Sequence, residues 1–494
     1  MKVSLFIKNT VILSVYGVIL RLVGMVFRIF MVNKIGSECT GLYQLIFSVY
    51  MLLSSAVNVS LTTAVTRLVS EHSVTSSKRQ IRKIVRLATL GAVVIMTIVA
   101  VCGFMMSGVI AKIIGDMRAL QSVKILVWSL PFMSISACLK GYFSAVKNTI
   151  SPSNAQVFEQ IIRIFVVGGL LIFFPTQNLS LCCAYILLGD TIAEILSCGL
   201  LYLLYNSDIK KRVFKGNDDV RGVSKELIRI GLPIGANRFA TSSLRTVENL
   251  LIPSALAKFS GSSTVALSSF GLVLGMALPI ILFPSSILGS VSQLLVPELA
   301  IATASKNNLK IKSSVEKVLS ITIYFSIFFG FVFHLCSGEL GRIIYHSDEV
   351  GVILKLLCPV VPMMYLEFVC DGILKGLDQQ LHTFFYSLSD CILRILGIYY
   401  FVGKYGLYGF MGVMIFSNIF SSSLCLHRIL RIVKPKIDIT NCIVKPILVG
   451  LAFDFTAVFA SQFFVGDIIC CVVKLIILTF GYLIFTKSTI SEKI

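Results

Sequence analysis

Glu159 and Arg163 stand four apart in the apolar run VFEQIIRIF, residues 157–165. Asp390 and Arg394 repeat that spacing 231 positions later, in LSDCILRIL at residues 388–396. On a helix, an acid four residues before an arginine lies on the same face and in the preferred order for pairing. Two further arginine pairs recur at a spacing of seven: Arg21 and Arg28, then Arg238 and Arg245, with Glu248 one turn beyond Arg245. A spacing of seven also keeps two side chains on one helical face. Guanidinium groups are permanently charged and offer planar, bidentate donors, which suits a phosphate or pyrophosphate headgroup.

Other chemistry is poorly represented. The five histidines (72, 334, 346, 382 and 427) are scattered, and no Ser/His/Asp set, nucleotide loop or paired metal-binding acids stands out. The 14 cysteines include the neighbours Cys182–Cys183 and Cys470–Cys471 but no CxxC or Cys/His spacing, so they read as small apolar packing residues rather than metal ligands. The expectation is a protein that is not an enzyme and uses neither cofactor nor metal.

The elements that must position these charges follow from composition. The chain has 494 residues, 56% hydrophobic and 14% charged, with mean hydropathy +0.90. Soluble domains are about half apolar and about a quarter charged, and apolar runs of about 20 residues are long enough to cross a hydrocarbon core. Fourteen spans are read near 11–32, 42–65, 87–107, 121–143, 157–175, 182–205, 228–257, 264–291, 318–338, 352–372, 383–402, 406–426, 443–463 and 467–486. The fold class is therefore an all-α polytopic membrane protein. Continuous apolar runs exclude a β-barrel, which needs short alternating segments.

The formal charge of +20 is a topology signal. The basic stretches KRQIRKIVR (78–86), KKRVFK (210–215), KNNLKIK (306–312) and HRILRIVKPK (427–436) all fall on one side of the span pattern. The positive-inside rule makes that side, and both termini, cytoplasmic. The basic excess also favours anionic lipid headgroups and gives no reason to invoke nucleic acid. Opening on MKVSLFIKNT, the chain runs into a full-length span without a small-residue cleavage site, so no cleaved signal peptide is expected.

Matched landmarks give the domain plan. LPFM (130–133) answers VPMM (361–364) at 231, AKIIG (111–115) answers GRIIY (341–345) at 230, and CLKGYF (138–143) answers ILKGLD (373–378) at 235. The last offset implies a few residues gained between. Such repetition predicts six-span lobes over 1–205 and 228–426, a charged cytoplasmic linker over 206–227, and an appendage of two helices over 443–486. An even span count gives both lobes the same orientation, with a pseudo-two-fold axis along the membrane normal and a central cleft, as in alternating-access transporters.

Arginines and acids inside spans cost about 2.5–3.5 kcal/mol each on insertion scales and must pair or line water. The bases are Arg21, Arg28, Arg163, Arg238, Arg245, Arg394 and Lys474. The acids are Glu159, Asp190, Glu194, Glu248, Glu367, Asp371, Asp390 and Asp454. Two readings stay open for Glu159/Arg163 and Asp390/Arg394: braces within the bundle, or groups that flank the cleft and gate it. Arg21 and Arg28 likewise either face the cleft or pair with Asp190 or Glu194. Prolines in GLPIG (231–235), GMALPIILFP (275–284) and LLVPEL (294–299) allow bends in the seventh and eighth spans.

The stretches RLVGMVFRIFMVNKIG, GLYQLIF, TTAVTRLVSEH, LKGYFSAVKNTISPSNAQVFEQIIRI, ENLLIP and GMALPIILFPSSILGSVSQLLVPELA resemble, in order along nearly the whole chain, the stage V sporulation protein B family of spore-forming Firmicutes. That family is a polysaccharide-type branch of the multidrug/oligosaccharidyl-lipid/polysaccharide exporter superfamily. The resemblance implies fourteen helices, two six-helix lobes, and a cavity lined by the first, second, seventh and eighth helices. It implies a flippase for a lipid-linked oligosaccharide, with lipid II or a related spore-cortex precursor as substrate. Membrane lipids, and by extension cell-wall synthesis enzymes, are the implied partners, in the plasma membrane or a forespore membrane.

In related lipid II flippases the first helix carries two essential arginines. Arg21 matches the first, Arg28 matches the second within about one residue, and Arg67 is nearest to an arginine that ends their second helix. Their eighth-helix arginine has no counterpart in FGLVLGMALPIILFP, unless Arg238 or Arg245 substitutes. The alternative within the same superfamily is a multidrug antiporter coupled to H⁺ or Na⁺ through intramembrane acids, against which the arginine pairs argue.

Overall fold

The computed structural model describes residues 2–72, 77–176, 178–212 and 223–491. Residues 213–222, within the charged linker read from the sequence, lie outside the described residues. All regular elements among the described residues are helical. They fall into two compact units, residues 1–250 and 251–494.

The first unit contains α1 (Lys2–His72), α2 (Lys78–Met105), α3 (Ser107–Ile114), α4 (Leu120–Leu126), α5 (Leu130–Ala145), α6 (Ile150–Phe173), α7 (Leu179–Lys211) and the first part of α8 (Val223–Ser260). The second holds the end of α8, then α9 (Ser263–Phe270), α10 (Leu278–Ala304), α11 (Asn308–Tyr345), α12 (Asp348–Leu357), α13 (Val361–Gly376), α14 (Gln380–Gly397), α15 (Gly403–Val433), α16 (Lys445–Ser461) and α17 (Asp467–Ser491).

Eleven helices among the described residues are long and apolar enough to cross a membrane. The fourteen spans read from the sequence differ at identifiable places. The first two run together in α1, broken only by non-helical geometry at Gly36 (φ 77°, ψ 175°), a region open essentially to glycine alone. The eleventh and twelfth join through a π-helical turn (Ile398–Val402) and a break at Gly406. The third difference is α8, diluted by Lys225, Glu226, Arg229, Arg238, Arg245, Glu248 and Lys258. Residues 339–351, between the ninth and tenth spans read from the sequence, reduce to a turn at His346 and Ser347 between α11 and α12.

In lipid, helices associate through close packing and interhelical hydrogen bonds rather than a hydrophobic drive. In the first unit, Thr62 and Thr66 of α1 donate to the carbonyls of Ala137 and Gly141 on α5, both at 3.0 Å. A Cβ at Gly141 would stand 2.8 Å from the Thr62 carbonyl oxygen, so only glycine admits this approach. Around the seam Val65, Leu68, Ile81, Tyr142 and Leu201 form the core. In the second unit α13 meets α10 the same way, with Gly372 against the Ser292 hydroxyl, and the Tyr365 hydroxyl donates to the Ile281 carbonyl at 2.6 Å. There α16 and α17 pack together on α11 through Phe331, Val449, Leu478 and Tyr482.

The repeat is visible in the elements themselves. Helices α5 and α13 are each 16 residues long, start 231 apart, carry proline at their second position, and follow a three-residue 3₁₀ turn (Val127–Ser129, Cys358–Val360). The offset of 235 read from LKG is therefore one helical turn out of register. The equivalent close-approach glycines, Gly141 and Gly372, are 231 apart, and no residues are gained between.

Candidate functional site

Helix α6 presents Glu159 and Arg163 one turn apart. The Arg163 guanidinium donates to Glu159 Oε1 at 2.8 Å and to Gln160 Oε1 at 3.1 Å, while its Nε lies 2.7 Å from Asp190 Oδ1 on α7. From α1, the Tyr43 hydroxyl donates to the other oxygen of Asp190 at 3.4 Å. Arg28 and Arg163 both act electrostatically on that hydroxyl. One turn past Asp190, Glu194 lies beside Ser136 and Lys140 of α5, and its Oε1 is buried without a hydrogen-bond partner among the described residues. One ionic knot thus ties α6 and α7 to α1, with its acid side chains only 15% and 16% exposed.

The second unit builds its counterpart differently. Arg394 Nε lies 3.0 Å from Asp390 Oδ2 on α14 and 2.5 Å from the hydroxyl of Ser417 on α15. The same hydroxyl bonds Asp390 Oδ1, so Ser417 bridges both partners. On α13, Glu367 accepts from Ser421 of α15 at 2.6 Å and feels Asp390 and Arg394. Asp371 pairs with Lys375 at 2.5 Å at an exposed helix end. On the appendage, Lys474 binds Glu339 at 2.5 Å and the Leu335 carbonyl, and Asp454 faces His334 at 4.0 Å.

The remaining arginines stand elsewhere. On α1, Arg21 is exposed and Arg28 half-buried, on the flank of the face that carries Gly24 toward Gln160 of α6. Arg67 is exposed and paired with Glu71 at 2.8 Å. Arg238 and Arg245 of α8 are both exposed, and Glu248 is half-buried. Between them, Ser242 accepts a hydrogen bond from Ser55 of α1 at 2.7 Å, and Thr246 donates to the Ser48 carbonyl at 3.1 Å. Gly235 lies on the same stripe, against Ala56 and Ser60. At 100° per residue the two α8 arginines lie to one side of this contact stripe.

Two pairs foreseen from spacing, Glu159/Arg163 and Asp390/Arg394, are thus in direct contact. Asp190, weighed in the sequence as a partner for Arg21 or Arg28, binds Arg163. Tyr43 and Ser417 were not singled out, because a neutral hydroxyl 23 or more residues away in the chain leaves no periodic signal.

The arrangement holds fixed charges; elsewhere in the second unit the Cys358 thiol lies 3.8 Å from His334 Nδ1, whose Nε2 faces Asp454 at 4.0 Å. The fold of the chain is shared with solved transporters. A lipid II flippase MurJ in an inward closed conformation aligns with TM-score 0.75 at 15% identity, covering 97% of this chain and 100% of that one. An inward-facing multidrug resistance MATE transporter of the MOP superfamily aligns at 0.60 and 14% identity, covering 84% and 98%. In sequence, stage V sporulation protein B of Bacillus subtilis (strain 168) is 24% identical over 399 residues, 79% of this chain and 76% of that protein. Residues 6–291, more than half of the chain, match the polysaccharide biosynthesis protein family; this multi-pass helical membrane protein belongs to that family.

Proposed function

We propose that this protein flips a polyprenyl-pyrophosphate-linked sugar, a lipid II-like precursor of cell wall or spore cortex, from the inner to the outer leaflet by alternating access. The observation that carries the reading is the set of exposed guanidinium groups at Arg21, Arg238 and Arg245 on α1 and α8. Charges at such positions in lipid-embedded helices are costly unless they line water, and arginine suits a doubly charged phosphate headgroup. The fold shared with a lipid II flippase and the similarity to stage V sporulation protein B support the same substrate class. Both termini are cytoplasmic in this reading, the six-helix lobes span 1–205 and 228–426, and the protein is a transporter rather than an enzyme.

Arg21, Arg28, Arg238 and Arg245 take the pyrophosphate, with Arg67 at the mouth. The Glu159/Arg163 and Asp390/Arg394 pairs brace their helices as the lobes rock. A multidrug antiporter would need intramembrane acids open to a cation, and here Glu159 and Asp190 are bound to Arg163. The test is flipping of fluorescent lipid II in proteoliposomes, read by an external headgroup quencher, for wild type and Arg21→Ala/Arg28→Ala. Flipping by wild type and not by the double variant supports the substrate and the site. Failure with lipid II and other polyprenyl-linked sugars, together with export of a dye cation, overturns the reading.

A further inference from the structure

Three cysteines gather at one end of the first unit. Cys39 stands on α1 three residues past the break at Gly36, and Cys182 and Cys183 stand in the opening turns of α7. The Cys39 and Cys183 sulfurs are 3.1 Å apart. Each also rests against the backbone of the other helix: Cys39 Sγ lies 3.9 Å from the Leu179 carbonyl oxygen, and Cys183 Sγ lies 3.6 Å from that of Cys39. Cys182 neighbours Cys39 as well, but its thiol donates to the Thr176 carbonyl at 3.2 Å. A disulfide bond is about 2.05 Å long, so Cys39 and Cys183 need about 1 Å of closure to join.

The helices that carry the two sulfurs are held together on both sides of the contact. Tyr43, one turn beyond Cys39, donates to Asp190, two turns beyond Cys183. Before the contact, Glu38 binds the Arg118 guanidinium at 2.9 Å, and Ser180 donates to the Arg118 carbonyl at 2.9 Å. With both termini cytoplasmic, residue 39 falls between the first two spans and residues 182–183 open the sixth, so the pair lies at the outer end of the unit. Cys138 and Cys198 lie toward the cytoplasmic ends of the fourth and sixth spans. Disulfides form and persist on the extracytoplasmic side of a cell membrane. Resting on that orientation, we infer that Cys39 and Cys183 form a disulfide that clamps the break of α1 to the head of α7.

The oxidant is a disulfide of the extracytoplasmic space, carried by a thiol oxidoreductase or a small thiol. The Cys39 thiolate attacks one of its sulfurs and displaces a thiolate; the Cys183 thiolate then attacks the Cys39 sulfur of the mixed disulfide and displaces the second. Two protein thiols are oxidised, the donor disulfide is reduced, and the two protons end on the donor thiols. Cys39 and Cys183 are both 0% exposed in the folded unit, so the exchange takes place while the chain folds, and the closed helices then shield the bond from reductant.

The experiment takes membranes of cells making the full-length protein, denatures them with a thiol alkylator and no reductant, and maps peptides by mass spectrometry. The expected result is a peptide linking Cys39 to the Cys182–Cys183 segment, with alkylation of Cys39 at least roughly tenfold below that of a pre-reduced sample and Cys138 and Cys198 alkylated equally in both. Cys182→Ala keeps the link. A second readout is the melting midpoint of wild type against Cys39→Ala: their gap without reductant exceeds the gap with reductant present throughout synthesis and purification by about 4–8 °C, the size usual for one disulfide in a unit of 250 residues. Comparing the two gaps removes the cost of the altered packing. Full alkylation of Cys39 without reductant, loss of the link in Cys182→Ala, or equal gaps would overturn the clamp. Orientation is read separately from a protease-cleavable tag at the C-terminus in right-side-out vesicles: a cleaved tag sinks the orientation whether or not the link is present, and a protected tag with free Cys39 sinks the clamp alone.

Discussion

Removing Arg163 exposes the energetics of the first-unit knot most directly. Its guanidinium touches Glu159 at 2.8 Å and Asp190 at 2.7 Å, so Arg163→Ala leaves two largely buried carboxylates 15% and 16% exposed without their cation. Breaking a buried pair from one side costs about 3–5 kcal/mol. Arg163 itself is 30% exposed, and solvent screening lowers the expected loss to about 2–3 kcal/mol. Glu159→Gln keeps an acceptor and the Asp190 contact, so it costs under about 1 kcal/mol. Arg163→Ala/Asp190→Asn removes one stranded charge with its partner and recovers about 1 kcal/mol or more relative to Arg163→Ala, the coupling expected of contacting residues.

A thiol-reactive fluorophore in nanodiscs suits the measurement, because Cys39, Cys138, Cys182, Cys183 and Cys198 of the first unit are all buried and react only on unfolding. Cys102 is exposed and is replaced by serine to remove background. If the unit of 250 residues melts as one, about 2 °C of midpoint per kcal/mol gives a fall of about 4–6 °C for Arg163→Ala. A fall under about 1 °C, an equal fall for Glu159→Gln, or no recovery in the double variant would refute the knot as the tie between α6 and α7.

Further outcomes follow from the same geometry. Ser417→Ala deletes the hydroxyl that bridges Arg394 and Asp390 and should cost about 1–2 kcal/mol in thermal unfolding, whereas Ser417→Thr keeps the hydroxyl and costs less. Gly36→Ala forces a side chain into the break of α1 at φ 77°, ψ 175°, and should lower stability by about 1–3 kcal/mol, read by the same melting assay. Gly141→Ala drives a Cβ against the Thr62 backbone and should cost about 1–3 kcal/mol; Gly372→Ala meets the Ser292 side chain instead, so Ser292→Gly should rescue it. Arg238→Ala/Arg245→Ala, at exposed positions, should move the midpoint by under about 1 °C while reducing lipid II flipping in proteoliposomes.

Much of this was legible because helical periodicity exposes what is local. Glu159 and Arg163, like Asp390 and Arg394, are placed together by spacing alone, and apolar run length marks the membrane-crossing helices. Long-range choices were not legible. The chain supplies Asp190, Glu194 and Glu248 as possible partners for its arginines, and only packing of α6 on α7 selects Asp190 for Arg163. Ser417 resembles every other serine of α15 until the fold sets it between an acid and a base. The tripeptide LKG misled by four residues because one helical turn restores the same face, so a shifted match looks plausible to periodicity. Gly36 shows the reverse: a break was expected between residues 32 and 42, and one glycine in a conformation few residues adopt supplies it without an extended loop.

The two repeats also show what the fold requires of its charged seams. Ser136 of α5 and Glu367 of α13 are 231 apart, as are Glu194 of α7 and Cys425 of α15. In the first unit the buried acid of the seam is carried by α7 and faces Ser136; in the second it is carried by α13, accepts from Ser421 and acts on Cys425. Asp190, the interhelical partner of Arg163, corresponds at the same offset to Ser421. The acid has changed helices while an acid remains beside each arginine, because an arginine left alone among apolar helices costs several kcal/mol. What the repeats hold in common is therefore the charge balance of the seam rather than the identity of any residue. For that reason a position-by-position match of the halves finds the i,i+4 pairs and passes over the acid that completes each of them.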